Sequence, residues 1–229
     1  MAGRVIAITG AFGILGSAVA KAAAAQGASL ALIDAAKAPL GVGVGEGALV
    51  LAETDLTDPV QVGAAMAAIG ERYGRIDALL NIAGGFVWEK IEGQDPSRWA
   101  DLFRLNVVTA ANASRAAIPH LRKSRHGRIV NVGSAAALKA GAGMGAYSAA
   151  KAGVHALTQA LAEELKGDGI TVNAVLPSII DTPANRADMP DTDPAVWVAP
   201  DDLAAVILFL ASEASTAVTG SLVPVTGRV

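Results

Sequence analysis

The chain has 229 residues, 52% of them hydrophobic and 17% charged, with a formal net charge of −3 and no cysteine. That is enough apolar surface for one large core, and it excludes a disordered chain, a basic nucleic-acid footprint, disulfides and any cysteine-based zinc site. With three histidines and no HExxH motif, no metal centre is expected.

RVIAIT (residues 4–9) reads as a buried strand and Gly13–Gln26 as a helix, with Gly10, Gly13 and Gly16 spelling GxxGxxG across the turn between them. An early arginine before small apolar residues also has the composition of a secretory signal. The punctuating glycines and the strand pattern that follows favour a folded strand–turn–helix, so a cytoplasmic protein is expected. No apolar run reaches the ~18 residues of a membrane span. A glycine turn between a first strand and a first helix suits a pyrophosphate, because backbone N–H groups and the helix dipole converge there. Gly10 would make the tight turn, Gly13 would allow close approach, and Gly16 would let helix and sheet pack. Glycines used only for packing are the plainer alternative.

SLALID (29–34) reads as the second strand and ends in Asp34, eighteen residues after Gly16. An acid there accepts hydrogen bonds from an adenosine ribose and repels a 2′-phosphate. The turn offers no basic residue to welcome such a phosphate, and Lys37 is expected to be solvated. NAD(H) is therefore expected rather than NADP(H). Pro39–Gly47 (PLGVGVGEG) reads as a loop, ALVLAE (48–53) as a strand, Pro59–Tyr73 as a helix and IDALLN (76–81) as a strand.

The spacing next predicts a long helix over Pro96–Lys123, with Asp95 as N-cap and Pro96 at the first helical position. Asn106 falls in its middle, where asparagine is mildly unfavourable. Its neighbours Leu105, Val107 and Val108 imply partial burial. RIVNVG (128–133) is a strand that delivers Ser134, and a helix is expected over Ala146–Lys166. Tyr147 and Lys151 lie at i and i+4 and so share one face of that helix. A surface lysine covering a half-buried tyrosine is the plain reading of the pair taken alone. ITVNAVL (170–176) and SLVPVT (221–226) are further strands, and LAAVILFLA (203–211) fits a buried helix within Asp201–Ser212. Ser178–Pro200 is long and rich in proline and aspartate, the pattern of an active-site lid, with a merely solvated loop as the alternative.

Strand–helix alternation with apolar strands implies a parallel sheet covered on both faces. Right-handed crossovers then give a single-domain α/β Rossmann fold over residues 1–229, doubly wound around a seven-stranded parallel sheet. Its nucleotide-binding half would run over about 1–90, its catalytic and substrate half over about 91–229, with the lid over about 178–200. Strand ends border the ligand crevice in such folds, so Ser134, Tyr147 and Lys151 can converge there.

TGAFGILG, the Asp55-Leu56 pair, NIAGG, LNVVTA, the serine of VNVGSAA, YSAAK and VNAVLPSIIDTP together resemble the short-chain dehydrogenase/reductase family over nearly the whole chain. The resemblance implies an oxidoreductase with Tyr147 as acid/base, Lys151 orienting the ribose and lowering the tyrosine pKa, Ser134 binding the carbonyl oxygen and Asn106 holding a proton-relay water. It also implies cofactor contacts at Gly10, Phe12, Gly13, Ile14, Leu15 and Gly16, at Asp34, Asp55 and Leu56, along Asn81, Ile82, Ala83 and Gly84, and at Pro177, Ile180 and Thr182. A tyrosine working near pH 7 needs its pKa of ~10 lowered by about three units, or about 4 kcal/mol. A cation ~4 Å away at an effective dielectric of ~20 is worth that order of energy.

The chain departs from the family pattern in three places. Ile14 stands where the middle glycine of TGxxxGxG is usual, Ser178 follows Pro177 where glycine is usual, and the sequence ends early at VTGRV. IAGGFVWEK, AALKAGAGMGAYSAAKAGVHALTQALA and AVLPSIIDTPANRADMP are similar to the dihydropteridine reductase branch, which typically lacks the serine found here at Ser134. The expected activity is therefore carbonyl–alcohol interconversion with NAD(H). Quinonoid dihydropterin reduction is the alternative, and a non-catalytic NAD-binding regulator the second one. Phe86, Trp88, Met144 and Trp197 are candidates for the substrate-pocket wall, with plain core as the other reading. Arg186 on the lid is a candidate contact for an anionic substrate, with solvent exposure as the default. The expected partner is a small carbonyl or alcohol, with no nucleic acid or membrane, and the family likeness implies a homodimer or homotetramer.

Overall fold

Seven apolar runs become seven strands of one sheet. The computed structural model describes residues 1–39 and 47–229; most of the expected loop Pro39–Gly47 lies outside the described residues. The strands are β1 (Val5–Thr9), β2 (Ser29–Ile33), β3 (Leu49–Leu51), β4 (Ala78–Asn81), β5 (Arg128–Val132), β6 (Thr171–Pro177) and β7 (Leu222–Val225). They pair in the order β3-β2-β1-β4-β5-β6-β7, every pair parallel. The order reverses between β1 and β4, which opens a crevice beyond their carboxyl ends. In register, Thr9 faces Asn81 across that junction, and the Thr9 hydroxyl accepts the Ile82 and Ala83 N–H groups at 3.1 and 3.2 Å.

Alternation along the strands supplies two cores. Ile6 and Ile8 of β1 face helices α1 (Ile14–Ala25) and α7 (Pro200–Leu210), while Val5 and Ala7 face α2 (Pro59–Tyr73), α4 (Thr109–Leu121) and α5 (Gly145–Leu165). Local signals set the helix ends. Asp58 accepts the Val60 N–H at 2.8 Å ahead of Pro59, and Gly74 closes α2 in the left-handed region at φ +80°. Gly169, at φ +71°, ends the turn that follows α5. Among the described residues, no helix is long and apolar enough to cross a membrane.

The expected long helix over Pro96–Lys123 is not one α-helix. It runs as α3 (Ser97–Phe103), a π-helical turn (Arg104–Val108) and then α4. The cause is local polar competition. The Asn106 amide donates to the Leu102 carbonyl at 2.9 Å, and the Thr109 hydroxyl donates to that of Leu105 at 2.7 Å, so side chains take up carbonyls of the widened turn. The Asp95 side chain does accept the Ser97 N–H at 2.9 Å, so capping holds within a residue of the expected position. The expected lid is also more ordered than a loop. It contains α6 (Pro183–Asp188), a 3-10 turn (Pro194–Val196) and a parallel bridge between Ile180 and Val198.

Candidate active site

The crevice at the strand-order reversal is a cleft of about 900 Å³. Gly10, Phe12, Gly13, Ile14, Leu15, Gly16, Asp34, Asp55 and Leu56 line one side of it. Ala83, Gly84, Phe86, Tyr147, Lys151, Ile180 and Thr182 line the rest. Ile82, within the expected Asn81–Gly84 stretch, lines it too, and Ala35, Ala36, Thr57, Gly85, Leu105, Thr109, Val132, Pro183 and Ala184 also line it and were not anticipated. Most lie within one or two positions of an anticipated residue, so the signal was adjacency in sequence.

The glycine turn is shaped by contact as well as by dihedral. Gly10 has φ +64°, and a Cβ on it would lie 2.8 Å from the Ala83 backbone. A Cβ on Gly16 would overlap the Gly10 carbonyl oxygen and come 2.8 Å from the Ala11 Cα. At Gly13 the nearest atom would be 3.5 Å away. Gly13 is also the N-cap of α1, and no side chain caps that end. The first N–H groups of α1 therefore stay open to the cleft, the geometry that receives an anion. Asp34 accepts the Phe12 N–H and the Ala36 N–H, each at 2.9 Å, which ties the end of β2 to the turn. Thr182 caps α6 by accepting the Asn185 N–H at 3.2 Å.

At the other end of the cleft, α5 presents Tyr147 and Lys151, and β5 delivers Ser134. Phe86 meets Tyr147 edge to face with ring centroids 4.9 Å apart, a contact worth about 0.5–1.5 kcal/mol. The Lys151 Nζ is buried and donates to the Val132 carbonyl at 2.8 Å. It lies 5.9 Å from the centre of the Tyr147 ring. Burial pushes the lysine pKa down to about 8. Burial also pushes the Tyr147 hydroxyl above its ordinary value, with the nearby Ser134 hydroxyl pulling the other way. In the chain by itself desolvation is the larger influence on Tyr147, and Lys151 gives one of its three N–H groups to the Val132 carbonyl.

Asn106 is 2% exposed. Its amide donates to the Gly85 carbonyl at 3.1 Å and its Oδ1 accepts the Gly85 N–H at 3.3 Å, so the π turn is clamped to the segment after β4. A Cβ on Gly84 would sit 2.6 Å from that Oδ1. His155, which the sequence reading did not select, lies under Ser134. Its Nε2 accepts the Ser134 N–H at 3.4 Å, and it occupies the space that a Cβ on Gly133 would need. Burial and then the charge of Lys151 push its pKa down, which favours the neutral ring. Its signal was spacing: it stands four residues after Lys151 on the same helix face.

Other anticipated residues lie elsewhere. Asn81 is buried in β4, its amide donating to the Ser114 hydroxyl at 3.1 Å and the Asn131 Oδ1 at 2.8 Å. Pro177 ends β6 and is buried. Met144 is half-buried at the N-cap of α5. Trp88 is exposed and rests on Gly143. Trp197, anticipated in the pocket wall, is a core residue at 5% exposure beside the Gly227 backbone; the apolar ring packs inward where its segment bridges Ile180 to Val198. Arg186 does not stand free, because Asp181 binds it fork to fork at 2.6 and 2.7 Å.

A second cavity of about 450 Å³ lies by the starts of β1, β4 and β5. Arg75 there pairs with Asp77 at 3.0 Å, and Arg4 donates to the Asp77 and His126 carbonyls. It is a network of structural pairs remote from Tyr147. Among the described residues, no group of three or more histidines and carboxylates could hold a metal ion.

Comparison with known proteins agrees with this architecture. The sequence pattern described as short chain dehydrogenase matches residues 4–193. The chain is 32% identical over 238 residues to a 3-oxoacyl-[acyl-carrier-protein] reductase of Thermotoga maritima, covering 98% of this chain and 97% of that protein. It is 34% identical over 235 residues to a meso-2,3-butanediol dehydrogenase of Serratia marcescens, covering 98% and 93%. Carveol dehydrogenase from Mycobacterium avium, solved in complex with NAD, superposes with a TM-score of 0.86 at 28% identity, covering 99% of this chain and 97% of that one. With the sheet order, the glycine turn and the Tyr147–Lys151 helix in agreement, the chain belongs to the short-chain dehydrogenase family of oxidoreductases.

Proposed function

We propose that the protein interconverts a secondary alcohol and a carbonyl with NAD(H), using Tyr147 as the acid/base. One observation carries the reading: Tyr147 and Lys151 line a cleft with the Ser134 hydroxyl beside Tyr147 and Asn106 held on Gly85 of its wall, and the same cleft holds an uncapped helix start and Asp34. Hydride acceptance and donation are the nicotinamide's chemistry when it is bound. The chain supplies the rest. The open N–H groups of α1 and the space beside Gly13 would hold the pyrophosphate, and Asp34 the adenosine ribose. Lys151 would meet the nicotinamide ribose while its second tie, to Val132, keeps it in place. Ser134 would donate to the substrate oxygen, and Tyr147 would give up or take the proton as the carbon changes between carbonyl and carbinol. His155 and the Asn106–Gly85 clamp would hold these groups in position.

The preference for NAD(H) rests on charge. Asp34 and Asp55 line the cleft, and Lys151 is its one cationic side chain among the described residues. A 2′-phosphate beside Asp34 would face a carboxylate with no arginine or lysine to offset it. The NAD bound in the carveol dehydrogenase structure supports the same choice.

The test is NADH oxidation with a panel of ketones and aldehydes and, beside it, quinonoid dihydropterin, comparing wild type with Ser134→Ala. A carbonyl reduced by wild type and lost in Ser134→Ala upholds the reading. Turnover of the pterin alone, indifferent to Ser134→Ala, would replace it with pterin reduction. NADH binding with no turnover of either would leave a regulator.

A further inference from the structure

The pairs at the second cavity leave part of its charge without a counter-ion. That cavity, of about 450 Å³, lies at the amino ends of β1, β4 and β5, while the cleft lies beyond the carboxyl ends of the strands. Its size is that of a small-molecule site. Among the described residues, the cations Arg4, Arg75, Lys123 and Arg125 line it, against the carboxylates Asp77 and Glu213. The chain as a whole is net −3, so this excess of positive charge is local.

Neither carboxylate balances the cavity. Asp77 is buried and already saturated: it accepts the Arg75 Nε on both oxygens at 3.0 Å, the Val5 N–H at 2.8 Å and the Ser124 hydroxyl. Arg4 is only 8% exposed, yet no carboxylate lies close to it. Its Nη2 donates to the Asp77 and His126 carbonyls at 3.0 and 2.8 Å, its Nη1 stands 3.7 Å from Glu213, and its Nε has no hydrogen-bond partner. Burial pushes the Arg4 pKa below its ordinary value; Asp77 and Glu213 act against that, and Arg75 adds to it. Burial and then the charge of Arg4 do the same to Arg128, buried in β5. Glu213 serves both arginines, but its side chain is 64% exposed and also stands 3.9 Å from His126. Lys123 and Arg125 are exposed, and no ion pair among the described residues includes them. A buried cation short of a close anion is costly, and an oxyanion beside it lowers that cost.

We propose that this cavity is an anion site for a phosphoryl dianion, borne by free phosphate or by a small monoester, with Arg4, Arg75, Lys123 and Arg125 as its cations and Glu213 as the side chain that yields to it. The class follows from charge and shape. A phosphoryl group carries about −1.5 to −2 at pH 7 on three acceptor oxygens, which matches the cationic excess, and guanidinium groups meet it with paired donors. An extended polyanion would run from the cavity onto a surface that is net negative. No residue lining this cavity lines the cleft, so a phosphate here and a dinucleotide in the cleft do not exclude each other.

The experiment is calorimetric titration of the protein at constant ionic strength, with and without saturating NADH, using orthophosphate, methyl phosphate, methyl sulfate and succinate. Orthophosphate or methyl phosphate should bind one to one, with a Kd that NADH changes by less than about twofold. The tighter of the two identifies free phosphate or a monoester as the ligand. Methyl sulfate, of the same shape with one charge fewer, should bind about tenfold more weakly. Lys123→Gln combined with Arg125→Gln should raise the phosphate Kd about tenfold or more, and Glu213→Gln should lower it about threefold. All three residues are exposed, so folding is not at stake. Absence of phosphate binding overturns the inference, and so does a Kd that the Lys123 and Arg125 changes leave unmoved. Methyl sulfate or succinate binding as tightly as the phosphates overturns the assignment to a phosphoryl dianion. Loss of phosphate binding when NADH is added places the ion in the cleft and overturns it too.

Discussion

Lys151 donates its ammonium to the Val132 carbonyl at 2.8 Å and stands 5.9 Å from the centre of the Tyr147 ring. The cation that the sequence pairs with the tyrosine is thus anchored to the sheet. It is held in place as a charge with little water around it, and it is expensive to keep.

That cost gives a prediction with a sign. The lysine pKa falls from 10.5 to about 8 on folding, so between those values the unfolded chain binds more protons than the folded one. Stability should therefore rise with pH from about 8 to 10.5, and the penalty is fully present below 8. A drop of that size is worth up to about 3 kcal/mol. Lys151→Met should raise the thermal midpoint at pH 7 by several degrees while abolishing turnover, and the gain over wild type should shrink as pH approaches 10.5. Calorimetry across pH checks it; a variant less stable than wild type at pH 7 would contradict it.

Tyr147→Phe keeps the ring and its edge contact with Phe86 and removes only the hydroxyl. Turnover should fall by about 10³-fold or more, the scale of a lost proton-transfer group. NADH affinity should stay within about twofold. Stopped-flow turnover and fluorescence titration read the two separately.

The three glycines of the first turn should not behave alike. Gly16→Ala drives a methyl group into the Gly10 carbonyl and should cost about 1–3 kcal/mol of stability. Gly13→Ala meets its nearest atom at ordinary contact distance and should leave stability unchanged while weakening NADH binding. Denaturant melts beside cofactor titrations test the split.

Asp34→Asn removes the charge and keeps one of the two oxygens that accept the Phe12 and Ala36 N–H groups. The ratio of NADPH to NADH affinity should rise by about tenfold or more. An unchanged ratio would mean that Asp34 does not set the preference.

Much of the fold was legible because parallel strands buried on both faces read as unbroken apolar runs. RVIAIT and RIVNVG end in β1 and β5 almost residue for residue. The pair Tyr147 and Lys151 was legible because helical spacing is local. What could not be read depends on partners far along the chain. The clamp that holds Asn106 needs the Gly85 backbone, twenty-one residues before it. The anchoring of Lys151 needs the end of β5. Trp197 sits in a stretch of prolines and aspartates that looks solvated, and only the bridge between Ile180 and Val198 shows that the chain dips inward there. Arg186 looked free because its partner Asp181 is acidic like so much of the lid.

The π turn at Arg104–Val108 is, in terms of chain length, one residue too many for the helix that contains it. Removing that residue would let the ladder close as an ordinary α-helix and would turn everything on one side of the cut by about 100° relative to the other. Asn106 would then swing off the Gly85 backbone, or α3 would carry Trp99 and Phe103 to a new bearing. The position of a single buried amide thus depends on a count of residues and not only on their identity, so a one-codon deletion in this stretch should harm the site more than most substitutions within it.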